Sequence, residues 1–310
     1  MSEAKQEADG RTSGRGADIR YALHLFISNP LVVAGAAISV GTIFLAFAAP
    51  LLVNPNIWRH TNLDLRLCWN NPVLNWGISG VYDCGGKTFP IGSDSFGRDL
   101  LQMIILAIPL DLQIAFEVVS SAVAIGIVLG GVAAYAGGIL DESILRITDI
   151  FFAVPSLILA IVFLVILGRT LGVLTLAILI VWWPTYVRLT RSQVIAEKEK
   201  PYVESLRAMG LSNVRILFRH IVPNSIYPVF VQATLDIGSV ILTISALTFI
   251  GFAPSPLTPE LGNLANAGIT YFFTAPWLII FPGLVILIIS LGFNLLGDGV
   301  RDVFDPRLRR

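Results

Sequence analysis

Long apolar runs separated by short polar segments dominate this 310-residue chain. A helix needs about 20 apolar residues to cross about 30 Å of hydrocarbon. Six stretches qualify: Leu31–Val53, Val118–Ala136, Ile150–Gly168, Leu171–Val187, Ile221–Ile250 and Trp277–Gly297. Five carry no charge, and the fifth in order holds Asp236. The second is rich in Gly, Ala and Ser, which lets helices approach closely. The third and fourth form a hairpin turning at Gly168-Arg169-Thr170. The pattern predicts an all-α integral membrane protein with six transmembrane helices.

The segments between these runs are uneven. Residues 1–29 are polar and read as a tail, residues 30–53 as the first helix, and residues 54–110 as a long loop ending in a short interfacial helix. That helix is expected within Gly97–Glu117, broken by Pro109 and Asp111; a bent extension of the second span is the other reading. A five-helix core follows over residues 111–300, with a polar loop at 198–223 and a proline-rich loop at 251–276, and residues 301–310 form a second tail. The 251–276 loop reads either as re-entrant, buried in protein, or as an ordinary rigid loop.

Pro201–Pro223 interrupts the apolar pattern with three Arg, one Glu and one His. Its periodicity predicts two short helices. The first covers roughly Tyr202–Met209, with Gly210 at the position after the cap, where positive φ costs glycine nothing. Ser212 is the expected N-cap of the second. There Val214, Leu217, Phe218 and Ile221 fall on one helical stripe, with Arg215 and Arg219 on another face. Glu204 and Arg207 are spaced to pair.

Composition sharpens the class. With 55% hydrophobic residues, 14% charged and a mean hydropathy of +0.77, the chain lies outside soluble norms. Net charge is zero, so no global basic field argues for nucleic acid. The distribution of Lys and Arg is informative: sixteen fall on the side shared by both termini and five on the other. That asymmetry predicts cytoplasmic termini, a cytoplasmic Pro201–Pro223 and an extracytoplasmic first loop. Cys68 and Cys84 lie in that loop, where a disulfide can persist, or they are two unrelated thiols. Trp58, Trp69 and Trp76 in the same loop suit a lipid–water boundary. Ala46-Phe47-Ala48 imitates a signal cleavage site, but the apolar run before it is too long for a typical leader.

Catalytic chemistry finds no foothold. Gly86-Lys87-Thr88 imitates the end of a phosphate-binding loop, but Val81 stands where that motif needs glycine. His24, His60 and His220 are scattered without metal-ligand spacing, and no Ser-His-Asp or Cys-His constellation is evident. The sequence predicts a chain that is not an enzyme, with no metal and no cofactor of its own.

Within this context Glu204, Gly210 and Pro223 are spaced as in the signature loop of ABC importer permeases. Gly92-Ser93-Asp94-Ser95-Phe96-Gly97-Arg98-Asp99, Arg219-His220-Ile221-Val222-Pro223-Asn224, Leu247-Thr248-Phe249-Ile250-Gly251, Thr258-Pro259-Glu260-Leu261-Gly262 and Phe293-Asn294-Leu295-Leu296-Gly297-Asp298-Gly299 resemble segments of the peptide/nickel branch, in particular its second, "C"-type permease. The resemblance spans nearly the whole chain beyond the tail. Ser205 and Leu206 stand where the family pattern usually has two alanines, and Ile244 where many members have Glu.

The resemblance implies a type I importer permease fold in a cell (plasma or inner) membrane and a place in an ATP-driven, binding-protein-dependent importer. Its partners would be a homologous second permease, two cytosolic ATPase subunits that bind ATP and Mg, and an extracytoplasmic substrate-binding protein. The implied substrate is a di- or oligopeptide, with oligosaccharide or nickel as alternatives; an ATP-independent transporter or channel is the rival class. Glu204, Arg207, Ala208, Gly210 and Arg215 would couple to the ATPase, although Arg215 with Arg219 would also suit anionic lipid. Asp236 and Trp183 either line the pathway or serve helix packing, the former against a partner permease, the latter at the Pro184 kink. Asp94, Arg98 and Asp99 either meet the binding protein or form a self-contained turn-and-cap network. Asp149 is expected to pair with Arg146.

Overall fold

A computed structural model describes residues 26–54, 67–69, 84 and 89–304. These residues are organised as helices: α1 (Pro30–Leu52), α2 (Leu100–Ala136), α3 (Gly138–Phe152), α4 (Ser156–Leu167), α5 (Leu171–Lys198), α6 (Pro201–Ala208), α7 (Asn213–Ile216), α8 (Val222–Ser225), α9 (Tyr227–Leu247), α10 (Leu261–Ala267) and α11 (Trp277–Phe304). Among the described residues, five helical stretches are long and apolar enough to cross a membrane: α1, α2, α5, Tyr227–Phe252 and Trp277–Val303.

The predicted third span is not a straight rod. It breaks at Ala153–Pro155, and α3 and α4 meet at 86°. Pro155 lacks an amide donor and disfavours the helical region for Val154. Alone, the 12 residues of α4 reach only about 18 Å, short of the hydrocarbon thickness. The pair makes a sixth span only if both arms are counted.

The boundary expected at residue 110 also moves. No separate interfacial helix precedes the second span; residues 100–136 form one 37-residue helix about 55 Å long. Pro109 lies ten residues in, and the helix continues through it. The fifth span begins at Tyr227 rather than Ile221; Pro223 interrupts the amide ladder before it, and Pro228 stands in its first turn, where the missing amide costs nothing.

The core is built around the contact of α2 with α5. Gly126 and Gly130 sit one turn apart on α2, against Tyr186 and Val187 of α5. A Cβ at Gly126 would lie 2.3 Å from Tyr186 Cβ, and one at Gly130 would lie 2.4 Å from the Val187 carbonyl oxygen. Only glycine permits that approach, which is how membrane helices gain packing where lipid offers no hydrophobic drive. α9 packs on α11, and α11 on α1. The Ser290 hydroxyl of α11 donates to the Gly238 carbonyl of α9 at 3.1 Å. Large apolar side chains face outward, including Phe44, Phe47 and Leu51 on α1 and Val165 and Ile166 on α4. An apolar solvent or a second apolar surface must meet them.

The middle of the 251–276 loop is buried in protein, while Phe272 and Phe273 near its end are exposed. α10 packs against α11 and the end of α9, and its residues Leu261–Ala265 are buried. The Glu260 carboxylate caps α10, accepting from the amides of Gly262 and Asn263 at 3.0 and 2.7 Å.

Candidate functional site

The polar segment Pro201–Pro223 is clamped to the ends of α2 and α5. Pro201 opens α6 at a position where its missing amide costs nothing. Gly210 has φ of 78°, and its amide donates to the Arg207 carbonyl at 2.9 Å, while Leu211 donates to Leu206 at 3.3 Å. That paired pattern closes a helix whose next residue is left-handed, and an apolar contact usually accompanies it. Here Leu206 and Leu211 supply the apolar groups, both packed on a small core of Ala134, Val194, Val203, Ile216, Leu217, Ile221 and Val222. The unusual Leu206 thus anchors the turn.

Polar ties complete the clamp. Tyr202 Oη donates to Glu197 Oε1 at 2.9 Å, and Lys200 Nζ lies 2.6 Å from Glu197 Oε2. Lys198 Nζ donates to the Ala134 carbonyl at 2.7 Å, and Tyr135 Oη donates to Asn213 Oδ1 at 2.9 Å. Glu197 and Lys198 stand in the visibly polar run that enters the segment. Nothing local in the sequence marks Tyr135, which lies 78 residues from Asn213.

Two expectations change here. The apolar stripe does not follow a 3.6-residue period. Residues 217–221 form a π turn in which the Val222 amide donates to the Leu217 carbonyl. The wider turn sits directly before Pro223, whose ring would otherwise crowd a carbonyl four residues back. Ile216, Leu217, Ile221 and Val222 are therefore buried, while Val214 and Phe218 are 69% and 40% exposed. Val214, Phe218, Arg215 and Arg219 share one surface, a shallow hollow of about 530 Å³ bounded by Ser212 and Pro223. Second, no ion pair joins Glu204 to Arg207 among the described residues. Glu204 is exposed, and the Arg207 guanidinium lies over an aromatic face, 5.7 Å from the Tyr135 ring centre. Ala208 is exposed beside it.

At the opposite end, Cys68 and Cys84 are joined by a disulfide, with Cα atoms 5.5 Å apart. The Ser93 amide donates to the Cys68 carbonyl at 2.8 Å, and Ser93 Oγ accepts from the Cys68 amide at 2.7 Å. Trp69 is buried rather than placed at a lipid boundary, its ring 4.9 Å from that of Trp277. Trp58 and Trp76 lie outside the described residues. Opening the disulfide with Cys68→Ser is expected to cost about 3 kcal/mol for a loop of this length, read as a lowered thermal midpoint that reductant imposes equally on the native chain.

Of the two readings of Asp94, Arg98 and Asp99, the turn-and-cap network is the one whose bonds are present. Asp94 and Arg98 are 2% and 4% exposed. Arg98 Nε donates to Asp94 Oδ2 at 2.6 Å, and Asp94 Oδ1 accepts from the amides of Phe96 and Arg98, both at 2.9 Å. Asp99 is the N-cap of α2, accepting from the Leu101 amide at 2.9 Å. Burial pushes its carboxyl above the usual range, against the opposing pull of its donors. These three residues form a turn-and-cap network that ties the start of α2 to the disulfide segment.

Comparison with known proteins now bears on both ends. Residues 123–310 match the family model described as "Binding-protein-dependent transport system inner membrane component". The chain belongs to this family. It is 38% identical to the dipeptide transport system permease protein DppC of Alkalihalophilus pseudofirmus, over 94% of this chain and 90% of that protein. It is 41% identical to DppC of Haemophilus influenzae, over 74% of this chain and 78% of that protein. Among solved structures, the MetNI methionine ABC transporter in an inward-facing form gives a TM-score of 0.48 at 20% identity, covering 66% of this chain and 98% of that one.

As a multi-pass membrane component of an ABC transporter, the chain works with other components of that system. Several of its intramembrane side chains have partners within the chain. Asp236 is 7% exposed. It accepts from Tyr186 Oη of α5 at 2.7 Å and from Gln232 Nε2 at 2.9 Å. Trp183 packs edge-on against Phe151 of α3, ring centres 5.2 Å apart. The contact holds the bent α3–α4 pair on α5. Asp149 pairs with Arg188 of α5 rather than with Arg146, which pairs with Glu142 instead. Arg191 grips Asp141 with two bonds, at 2.5 and 2.6 Å.

Proposed function

We propose that this chain is one of two permease subunits of an ATP-driven, binding-protein-dependent importer of di- and oligopeptides. The observation that carries the reading is the match to a dipeptide permease along 94% of the chain. Lys and Arg asymmetry supports cytoplasmic termini in a plasma or inner membrane. A homologous permease would supply the other half of the pathway. Two ATPase subunits would dock below, binding ATP and Mg, and an extracytoplasmic protein would deliver the peptide. The chain itself would carry no catalytic residue.

In this reading Pro201–Pro223 is the coupling segment. Glu204, Arg207, Ala208 and Arg215 offer an exposed surface, and Gly210 sets the angle between α6 and α7. The segment is rigid because its apolar side is embedded between α2 and α5. Movement imposed on it by the ATPase would pass directly into those helices, and closure below would turn the cavity outward.

The test is assembly and turnover of the reconstituted importer. Peptide-loaded binding protein is expected to stimulate ATP hydrolysis and drive peptide uptake. Stimulation by oligosaccharide-loaded protein alone, or uptake without any ATPase subunit, would sink the substrate or the class respectively. Glu204→Lys is expected to leave the purified permease folded but to reduce stimulated hydrolysis at least tenfold. Normal stimulated hydrolysis in that variant would remove Glu204 from the coupling surface.

A further inference from the structure

Two carboxyl groups meet at one end of the helix bundle without a base between them. Asp111 lies on α2, and Glu260 precedes α10; each is 1% exposed. Three consecutive amides at the start of α10 bind them together. Leu261 donates to Asp111 Oδ2 at 3.2 Å, Gly262 to Glu260 Oε1 at 3.0 Å, and Asn263 to Glu260 Oε2 at 2.7 Å. The two are close enough for their charges to repel.

α9 closes the site from the other side. A Cβ on Gly262 would lie 2.2 Å from the Ser245 carbonyl oxygen and 2.3 Å from Thr248 Oγ1. The hydroxyls of Thr248 and Ser245, the latter on a residue 3% exposed, face Glu260 and add to the donors around it. Asp111 Oδ1 is buried and unpartnered.

The charged groups on each neighbouring element are few. On α2, Asp99 caps the helix and Glu117 is exposed, bonded to Gln113. On α9 the charge is Asp236, already bonded to Tyr186 and Gln232. α11 has no charge before Asp298. Arg169, in the α4–α5 turn, donates to the Gly251 carbonyl at 2.8 Å and lies over the Phe252 ring. No ion pair reaches either carboxyl among the described residues.

Two ionised carboxylates in one dry site without a counter-cation repel and lose hydration together, so such pairs hold a proton. The donors decide where the charge rests. Glu260 receives two short amide bonds, which suit a carboxylate. Asp111 receives one long bond and has a bare oxygen, which suits a carboxylic acid. We propose that Asp111 is a proton-binding site: its carboxylic acid donates to Glu260, latching α10 and the 251–276 segment onto α2.

The test uses the purified full-length chain in lipid nanodiscs. Infrared difference spectra at neutral pH are expected to show a protonated-carboxyl carbonyl band, shifted in heavy water, that Asp111→Asn removes. Folding of the native chain must also take up a proton that the Asn variant does not need. The variant is therefore expected to gain on the native chain as pH rises above the range of the unfolded carboxyl, by about tenfold in folding equilibrium per pH unit for as long as the native proton is held, read from the melting midpoints. Asp111→Ser, another neutral hydrogen-bond donor, is expected to show the same trend and serves if the Asn variant folds poorly. A band that survives the substitution, or a difference independent of pH, overturns the proposal. So does native stability that depends on added sodium or calcium at neutral pH and loses that dependence in the variant, which would make the pair a cation site.

Discussion

Arg98→Ala is expected to destabilise the permease by about 3–5 kcal/mol, the largest single effect anticipated on folding. The side chain is 3% exposed, and so is that of Asp94, its ion-pair partner. Removing the guanidinium leaves a buried carboxylate with two backbone amides and no counter-charge. The loss reaches further than one pair. Asp94 shapes the turn that delivers Asp99 to the N-cap of α2, and its own carbonyl accepts from the Leu67 amide beside the disulfide. Trp277 Nε1 donates to the adjacent Ser93 carbonyl at 3.2 Å, so the start of α11 is tied to the same knot. Melting of the purified protein checks this. Asp94→Asn with Arg98→Leu together should cost less than Arg98→Ala alone, because the pair is then replaced without an orphaned charge. Equal losses would show that the bond geometry, rather than the buried charge, dominates.

Placing acid on the exposed apolar pair of the inner segment is expected to break assembly without unfolding the membrane part. Val214 and Phe218 face out beside Arg215 and Arg219 around a shallow hollow. An apolar floor with a basic rim is the pattern of a contact centre that excludes water. Each substitution, Val214→Asp or Phe218→Asp, is expected to weaken ATPase capture by about 2 kcal/mol, roughly thirtyfold in Kd. The melting midpoint should stay within a degree or two, since neither side chain joins the small core beneath. Titration of detergent-solubilised permease with purified ATPase subunit measures both. Unchanged affinity would move the contact to the α6 face around Glu204, and a large drop in melting would mean that the residues support the fold.

The spans, the helix–turn–helix of the inner segment and the turn at Gly210 were legible in the sequence because each rests on local physics. Span length follows from the hydrocarbon thickness, and a glycine with positive φ needs no distant partner to explain it. The fates of individual polar residues were not legible. Asp236 reads from sequence as a lone intramembrane charge, and its partner Tyr186 lies 50 residues away on another helix. Asp94 and Arg98 read from sequence either as a docking surface or as a turn-and-cap network, and only the folded chain shows the bonds of the latter. Val214 and Phe218 fit an apolar stripe, and only the π turn ahead of Pro223 shifts the register that exposes them.

The sequence by itself determined the membrane class, the family and the position of the interrupting polar segment. Those depend on apolar run length and on motifs contiguous along the chain. Tertiary structure alone decided that the third span is bent by 86°, that Leu206 packs on the core beneath the inner turn, and that Asp111 shares a buried site with Glu260, 149 positions further on. Hydrophobic periodicity records which side of a helix avoids water. It does not record which neighbour that side meets, and the cost of a buried charge is set by that neighbour.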